Sequence, residues 1–165
     1  MPYKFLEHTA DIKIQADGKN CDEAFKNSAF ALREVMLDFE KLKINAKKNR
    51  LIGVEGKDLG DLLYNFLEEF LFLHDAENFI LSEIEDLEIS EVEKPGAKSR
   101  TSKINKSKNK NKENVEKYFC LSAKILGDDA SSYKFVNKVK AITFNDMKIQ
   151  VDKTGKTSIL FVLDV

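Results

Sequence analysis

Apolar and polar residues alternate from Ile12 to Asp17, with Ile12, Ile14 and Ala16 on one side and Lys13, Gln15 and Asp17 on the other. A period of two predicts a half-buried strand. Its signal runs from about Phe5 to Ala16, and Asp17-Gly18 closes it as a turn. The period then lengthens. In "NCDEAFKNSAFALREVMLDF", Phe25, Ser28, Ala29, Leu32, Met36 and Phe39 recur at three and four, the stripe of an amphipathic helix. Asn20 followed by Glu23 has capping-box spacing, so the helix is expected to start there. "NRLIGVEG" reads as a short strand ending at Gly56. A second helix follows, with Leu59, Leu62, Leu63, Phe66, Leu67, Phe70 and Leu73 on one broad face and Asp58 as its cap.

Strand-like segments broken by acids occupy "NFILSEIEDLEISEVE", and "VEKYFCLSAKIL" resumes strand character before the polar break "GDDASS". "KFVNKVKAITFNDMKIQV" contains two strand segments, and Asp152–Thr157 is a turn. In the last strand, "SILFVLDV", Ile159, Phe161 and Leu163 form one face and Leu160 and Val162 the other. A strand apolar on both faces belongs inside a sheet. Two helices and seven to nine strands without regular alternation give an α+β fold. The expected architecture is two-layered, a largely antiparallel sheet with both helices packed on one face.

Composition changes this picture in one place. The 165 residues suit one domain, and the net charge is −1. Yet Lys94–Lys112, "KPGAKSRTSKINKSKNKNK", holds eight basic residues and no acidic one, leaving 19 basic against 28 acidic elsewhere. The chain is thus an acidic body with a basic insertion at about 94–114, too poor in apolar residues to order itself. An acidic body repels nucleic acid phosphates, so unaided RNA binding by the body is not expected. No apolar run approaches the ~20 residues of a membrane span, and the N-terminus lacks a secretory pattern. The expected location is the cytoplasm, away from membranes. Cys21 and Cys120 stand far apart and read as free thiols.

Candidate chemistry is sparse. There is no GxGxxG and no GxxxxGK[ST], and Gly53, Gly56 and Gly60 have the wrong spacing for either. His8 and His74 are the two histidines, which excludes a multi-histidine metal centre. His8 stands near Thr9 and Asp11 without an oxyanion-hole signature, and His74 falls at the end of the second helix. The carboxylates are more informative. Asp11 opens the first strong strand signal, and "ILFVLDV" ends in Asp164 and the terminal Val165. Were those strands neighbours, the two acids would repel, and a hard cation, which takes carboxylate and carbonyl oxygens, would relieve the repulsion. The terminal carboxylate of Val165 would be a further oxygen ligand. Two solvated strand-end acids are the alternative, and on spacing alone that is the favoured reading.

Several stretches together resemble one family. "HTADIKIQADG" is similar to the N-terminal signature of the archeases, "VEGKDLGDLLYNFLEEFLFLHDAE" to their second block, "VKAITFNDMKIQV" to their third, and "FVLDV" to their ending. The chain departs from the family's usual residues at Lys13 (Gly), Phe66 (Trp) and Phe144-Asn145 (Tyr-His). What the resemblance implies is an accessory protein, not an enzyme, that works with the RtcB-type RNA-splicing ligase in tRNA splicing. It would promote the ligase's guanylylation and multiple turnover, and meet tRNA indirectly through the ligase complex. It also implies that Asp11, Asp164 and Val165 bind a divalent metal ion, calcium first, with magnesium or manganese as alternatives. Two other readings remain on the residues alone. One is a stand-alone metal-dependent hydrolase using Asp11, Asp164 and His8. The other is an RNA-binding chaperone using the basic insertion.

Overall fold

Both helices begin where a side-chain oxygen caps them. Asn20 Oδ1 accepts the Glu23 amide at 2.9 Å, and the Glu23 carboxylate accepts the Lys19 amide at 2.7 Å. The first bond satisfies an otherwise orphaned first-turn donor, and the second ties the preceding residue back to the start of α1 (Cys21–Met36). Asp58 Oδ1 accepts the Asp61 amide at 2.8 Å and starts α2 (Leu59–Glu77). Asn78, in the left-handed region with φ 52°, ends α2. The computed structural model describes residues 2–37, 42–95 and 115–165. Phe39, counted in the first helical stripe, lies outside the described residues, as does the basic insertion from 96 to 114. The first two insertion residues, Lys94 and Pro95, are strand.

Seven strands accompany the helices: β1 (Tyr3–Leu6), β2 (Ile12–Gly18), β3 (Lys48–Gly56), β4 (Phe79–Pro95), β5 (Val115–Asp129), β6 (Ala141–Val151) and β7 (Thr157–Asp164). Every pairing is antiparallel. The strands divide into two sheets, β1-β2-β7-β6 and β3-β5-β4. The class is therefore α+β with antiparallel strands and two helices. β7 lies between β2 and β6, as its two apolar faces require.

Three local expectations change. The single first strand signal is two strands, because the polar stretch His8–Asp11 bends the chain between β1 and β2. Strand β5 continues through Gly127, Asp128 and Asp129 before a 3₁₀ turn at Ala130–Ser132. Glycine is needed there, since a Cβ on Gly127 would stand 2.2 Å from the Ile80 carbonyl oxygen and 2.4 Å from the Phe79 ring. The two segments expected in 134–151 are one strand interrupted by a large bulge. Thr143 faces Val162 and Lys148 faces Leu160, so the four residues 144–147 stand opposite Phe161 alone. Asp146, at φ 58°, takes the left-handed conformation within it.

One core joins both sheets to both helices. Ile14, Ile159, Phe161 and Leu163 of the first sheet and Ile52, Leu121 and Ile125 of the second cluster with Phe25, Leu32, Leu63, Phe66 and Leu67 of the helices. Fully burying an aliphatic or aromatic side chain contributes roughly 1.5–3 kcal/mol, so this cluster dominates the stability. It also sets the faces of the first sheet. Ile14 and Phe161 point to the helices, so Lys13, Gln15 and Val162 point to the opposite side.

Candidate functional site

The far face of the first sheet ends in two aspartates. The β2–β7 ladder pairs Ile12 with Leu163, Ile14 with Phe161 and Ala16 with Ile159. The ladder ends at Ile12–Leu163; continued one residue past that pair, it would bring Asp11 opposite Asp164 and on the same face, because directly opposed residues share a side. Asp11 sits in the bend that leads into β2, and Asp164 is the last residue of β7. Asp11 is half-buried and Asp164 is exposed. Among the described residues neither carboxylate accepts a hydrogen bond or joins an ion pair. The Asp164 backbone is held: its carbonyl accepts the Lys140 amide at 2.8 Å, beside the Ala141–Asp164 pairing. Val165 follows, and Lys140 Nζ donates to its main-chain oxygen at 3.1 Å.

The donor set is thus two carboxylates and a main-chain oxygen at one edge of the sheet. Oxygen donors of this kind suit a hard divalent cation, and the two carboxylates, without internal partners among the described residues, keep their lone pairs available, while the Val165 oxygen already accepts Lys140 Nζ; the residues fit such an ion. No three His, Cys, Asp or Glu side chains converge as a metal cluster among the described residues. His8 lies in the same β1–β2 connection, and its Nδ1 is buried without a hydrogen-bond partner among the described residues. His74 is elsewhere, on α2 against the Phe135 ring at 4.5 Å between centroids.

Lysines flank the pair. Lys13, two residues beyond Asp11, holds Asp146 at 3.1 Å. Lys140 is the other, on Val165. Sequence reasoning missed both contacts. The Lys140 contact follows from the β6–β7 register. The Lys13 contact depends on a bulge that no periodicity encodes.

A second concavity, an open groove of about 750 Å³, lies at the start of α2 between Leu59, Gly60, Phe119, Phe144, Met147 and Ile149. Phe144 is exposed yet stacks on Tyr64, with centroids 4.4 Å apart and rings 11° from parallel. The acids at its rim are occupied by the helix cap: Asp58 takes the Asp61 amide, and Asp61 takes the Lys57 amide at 3.0 Å.

Comparison with known proteins supplies the context. The family model described as "Archease protein family (MTH1598/TM1083)" matches residues 3–165. Protein archease of Pyrococcus abyssi is 35% identical over 165 residues, covering 99% of this chain and 98% of that protein. Protein archease of Thermococcus kodakarensis is 34% identical with the same coverage. Among solved structures, the solution structure of Methanobacterium thermoautotrophicum protein 1598 superposes with a TM-score of 0.64 over 99% of both chains. At 23% identity that likeness speaks for the fold alone. No described helix is long and apolar enough to cross a membrane.

Proposed function

The chain belongs to the archease family, and from that premise we propose that it is a metal-binding accessory protein that activates an RtcB-type RNA ligase in tRNA splicing. The carrying observation is the unpartnered carboxylate pair. Two acids flanking the last pair of the β2–β7 ladder, with no internal hydrogen bond among the described residues, are better explained by an external cation than by stability. In this reading Asp11, Asp164 and the Val165 oxygen hold the ion, with calcium the first candidate and magnesium or manganese the alternatives. When bound, a divalent ion supplies positive charge to which phosphate oxygens are attracted.

The chain's own part is to present that edge. The β2–β7 ladder ends beside both aspartates at the Ile12–Leu163 pair, and Ala141 and Lys140 hold β7 from its other side. Exposure of Asp164 leaves the edge open to a ligase pocket. In this proposal the protein performs no covalent step itself; it favours the ligase's nucleotide-charged state and repeated turnover. It meets tRNA through the ligase complex.

The test is multiple-turnover RNA ligation by an RtcB-type ligase, with and without this protein, in calcium, magnesium and manganese in turn. Stimulation beyond one turnover supports the proposal. Equal rates in all conditions would overturn it.

A further inference from the structure

We propose that Asp146 acts as a decoy carboxylate that keeps the Lys13 ammonium off the Asp11–Asp164 pair and so leaves that pair free for a divalent cation. This inference rests on the proposed metal site. Its observations are separate. Lys13 lies two residues beyond Asp11 and faces Val162 on β7. Val162 in turn is the neighbour of Asp164 on its face of that strand. A lysine stem spans such a distance, so the ammonium has two possible partners: the aspartate pair, or Asp146. It is found on Asp146, 3.1 Å from Oδ2.

Reaching Asp146 takes the ion pair across the whole width of β7. Lys13 pairs with Val162, Val162 pairs with Thr143, and Asp146 lies in the bulge just beyond. The bulge is what brings the acid there, and it does so with a non-glycine residue at φ 58°, a conformation Asp tolerates better than most residues. Val162 beneath the pair is fully buried although it lies on the face away from the helices. Lys13 is only 22% exposed, whereas Asp146 is 48% exposed. The lysine is thus laid along the sheet, not released to solvent. Lys140, the other neighbouring cation, is engaged with the Val165 oxygen and does not substitute for it.

Charge arithmetic separates this role from a structural one. With both residues present, Lys13 and Asp146 cancel near the site. Asp146→Asn leaves Lys13 uncompensated and free to turn to the aspartates, so cation affinity falls. Lys13→Gln leaves Asp146 uncompensated, so affinity rises. Under partial solvent screening, each change is worth roughly three- to tenfold in Kd. The double variant returns to within about twofold of the original.

The experiment is calorimetric titration of calcium chloride, repeated with manganese chloride, into the chelator-treated full chain and the three variants. Asp11→Asn is the control, and circular dichroism is the folding check. Opposite shifts in the two single variants, cancelling in the double, support the inference. Equal losses in both, or no change in either, would overturn it while leaving the metal site standing, provided Asp11→Asn still abolishes binding. If the unmodified chain takes up neither ion, the metal site and this inference fall together.

Discussion

Two pairs of acids occupy strand ends in this molecule, and they are treated in opposite ways. Asp128 and Asp129 close β5. Asp128 accepts the Asp129 amide at 2.9 Å and the Tyr133 hydroxyl at 2.8 Å, with Lys47 3.8 Å away. Asp129 accepts the Asn78 side-chain amide at 2.6 Å, the Ser131 amide at 3.0 Å and the Ser131 hydroxyl at 2.5 Å, and pairs with Lys48 at 3.3 Å. Donors hold both carboxyls below the usual carboxylate range: chiefly the Asp129 amide for Asp128, and chiefly Ser131 for Asp129. Asp11 and Asp164 have no such donors among the described residues. The difference lies in the surroundings. The β5 acids meet a 3₁₀ turn, the α2 cap and a lysine pair, whereas Asp11, in the bend before β2, and Asp164, at the end of β7, stand at the open ends of two inner strands. A saturated pair serves the fold, and a bare one is available to a ligand.

That contrast is broken most sharply by removing the acids. Asp11→Ala or Asp164→Ala abolishes stimulation in the multiple-turnover ligation assay, down to the rate of the ligase alone, while circular dichroism stays unchanged. The double variant is no worse than either single one, because both acids serve one site. Wild-type stimulation by folded single variants would refute the assignment of the bare pair.

The next largest effect falls on another buried acid. Glu34 is 3% exposed, and its carboxylate takes the Tyr3 hydroxyl. Tyr3→Phe leaves that acceptor buried without its donor and lowers the unfolding free energy by about 1–3 kcal/mol, measured by urea titration. Burial first, and then the Glu34 bond, push the Tyr3 hydroxyl up from its ordinary value. A group raised in the fold contributes fully below its unfolded pKa of about 10 and loses that contribution as pH rises past it. The alkaline loss of stability is therefore weaker in Tyr3→Phe.

Smaller again is Asp128→Asn, which weakens the bonds from the Asp129 amide and Tyr133. It lowers Tm by roughly 2–5 °C at neutral pH. Its sign with pH is opposite to that of Tyr3. A carboxyl depressed in the fold contributes above its unfolded pKa of about 3.9 and loses that contribution as pH falls through the folded value. The difference between the unmodified chain and Asp128→Asn therefore shrinks below about pH 4, read by thermal melts across pH. Ligase stimulation is untouched.

Much of this layout is legible in the chain. The 3.6-residue stripes, with Asn20 and Asp58 as caps, locate both helices, and the doubly apolar "ILFVL" places β7 inside a sheet. Asp11 and Asp164 stand out because each abuts a strong strand. Their adjacency is not legible, since pairing β2 with β7 joins segments nearly the whole chain apart and no local pattern encodes that choice. The division into two sheets is hidden for the same reason. The 144–147 bulge is hidden differently. "AITFNDMKIQV" keeps strand composition throughout, and Asp146 enters the left-handed region without a glycine to announce it. The saturation of Asp128 and Asp129 depends on Tyr133, Asn78 and Lys47, which come from three separate segments.

The smallest expected effect, the change in chelator, is also the one that separates the two pairs most cleanly, because it changes sign. Like charges directly opposite each other on a sheet destabilise it by a few tenths to about 1 kcal/mol. Asp11→Asn removes one such charge at the edge. No internal bond is lost with it, because among the described residues the Asp11 carboxylate accepts none. In chelator the variant is therefore more stable than the original, by about 0.2–1 kcal/mol, whereas Asp128→Asn is less stable under the same conditions. Saturating calcium reverses the first result. The unmodified chain gains the binding free energy, about 2.7 kcal/mol when free ion stands at 100 times Kd, and Asp11→Asn gains none. Thermal melts in chelator and in calcium measure both signs on the same samples. A bare pair that stabilises the chain without ion would behave like Asp128 and Asp129, and the distinction between the two pairs would be lost.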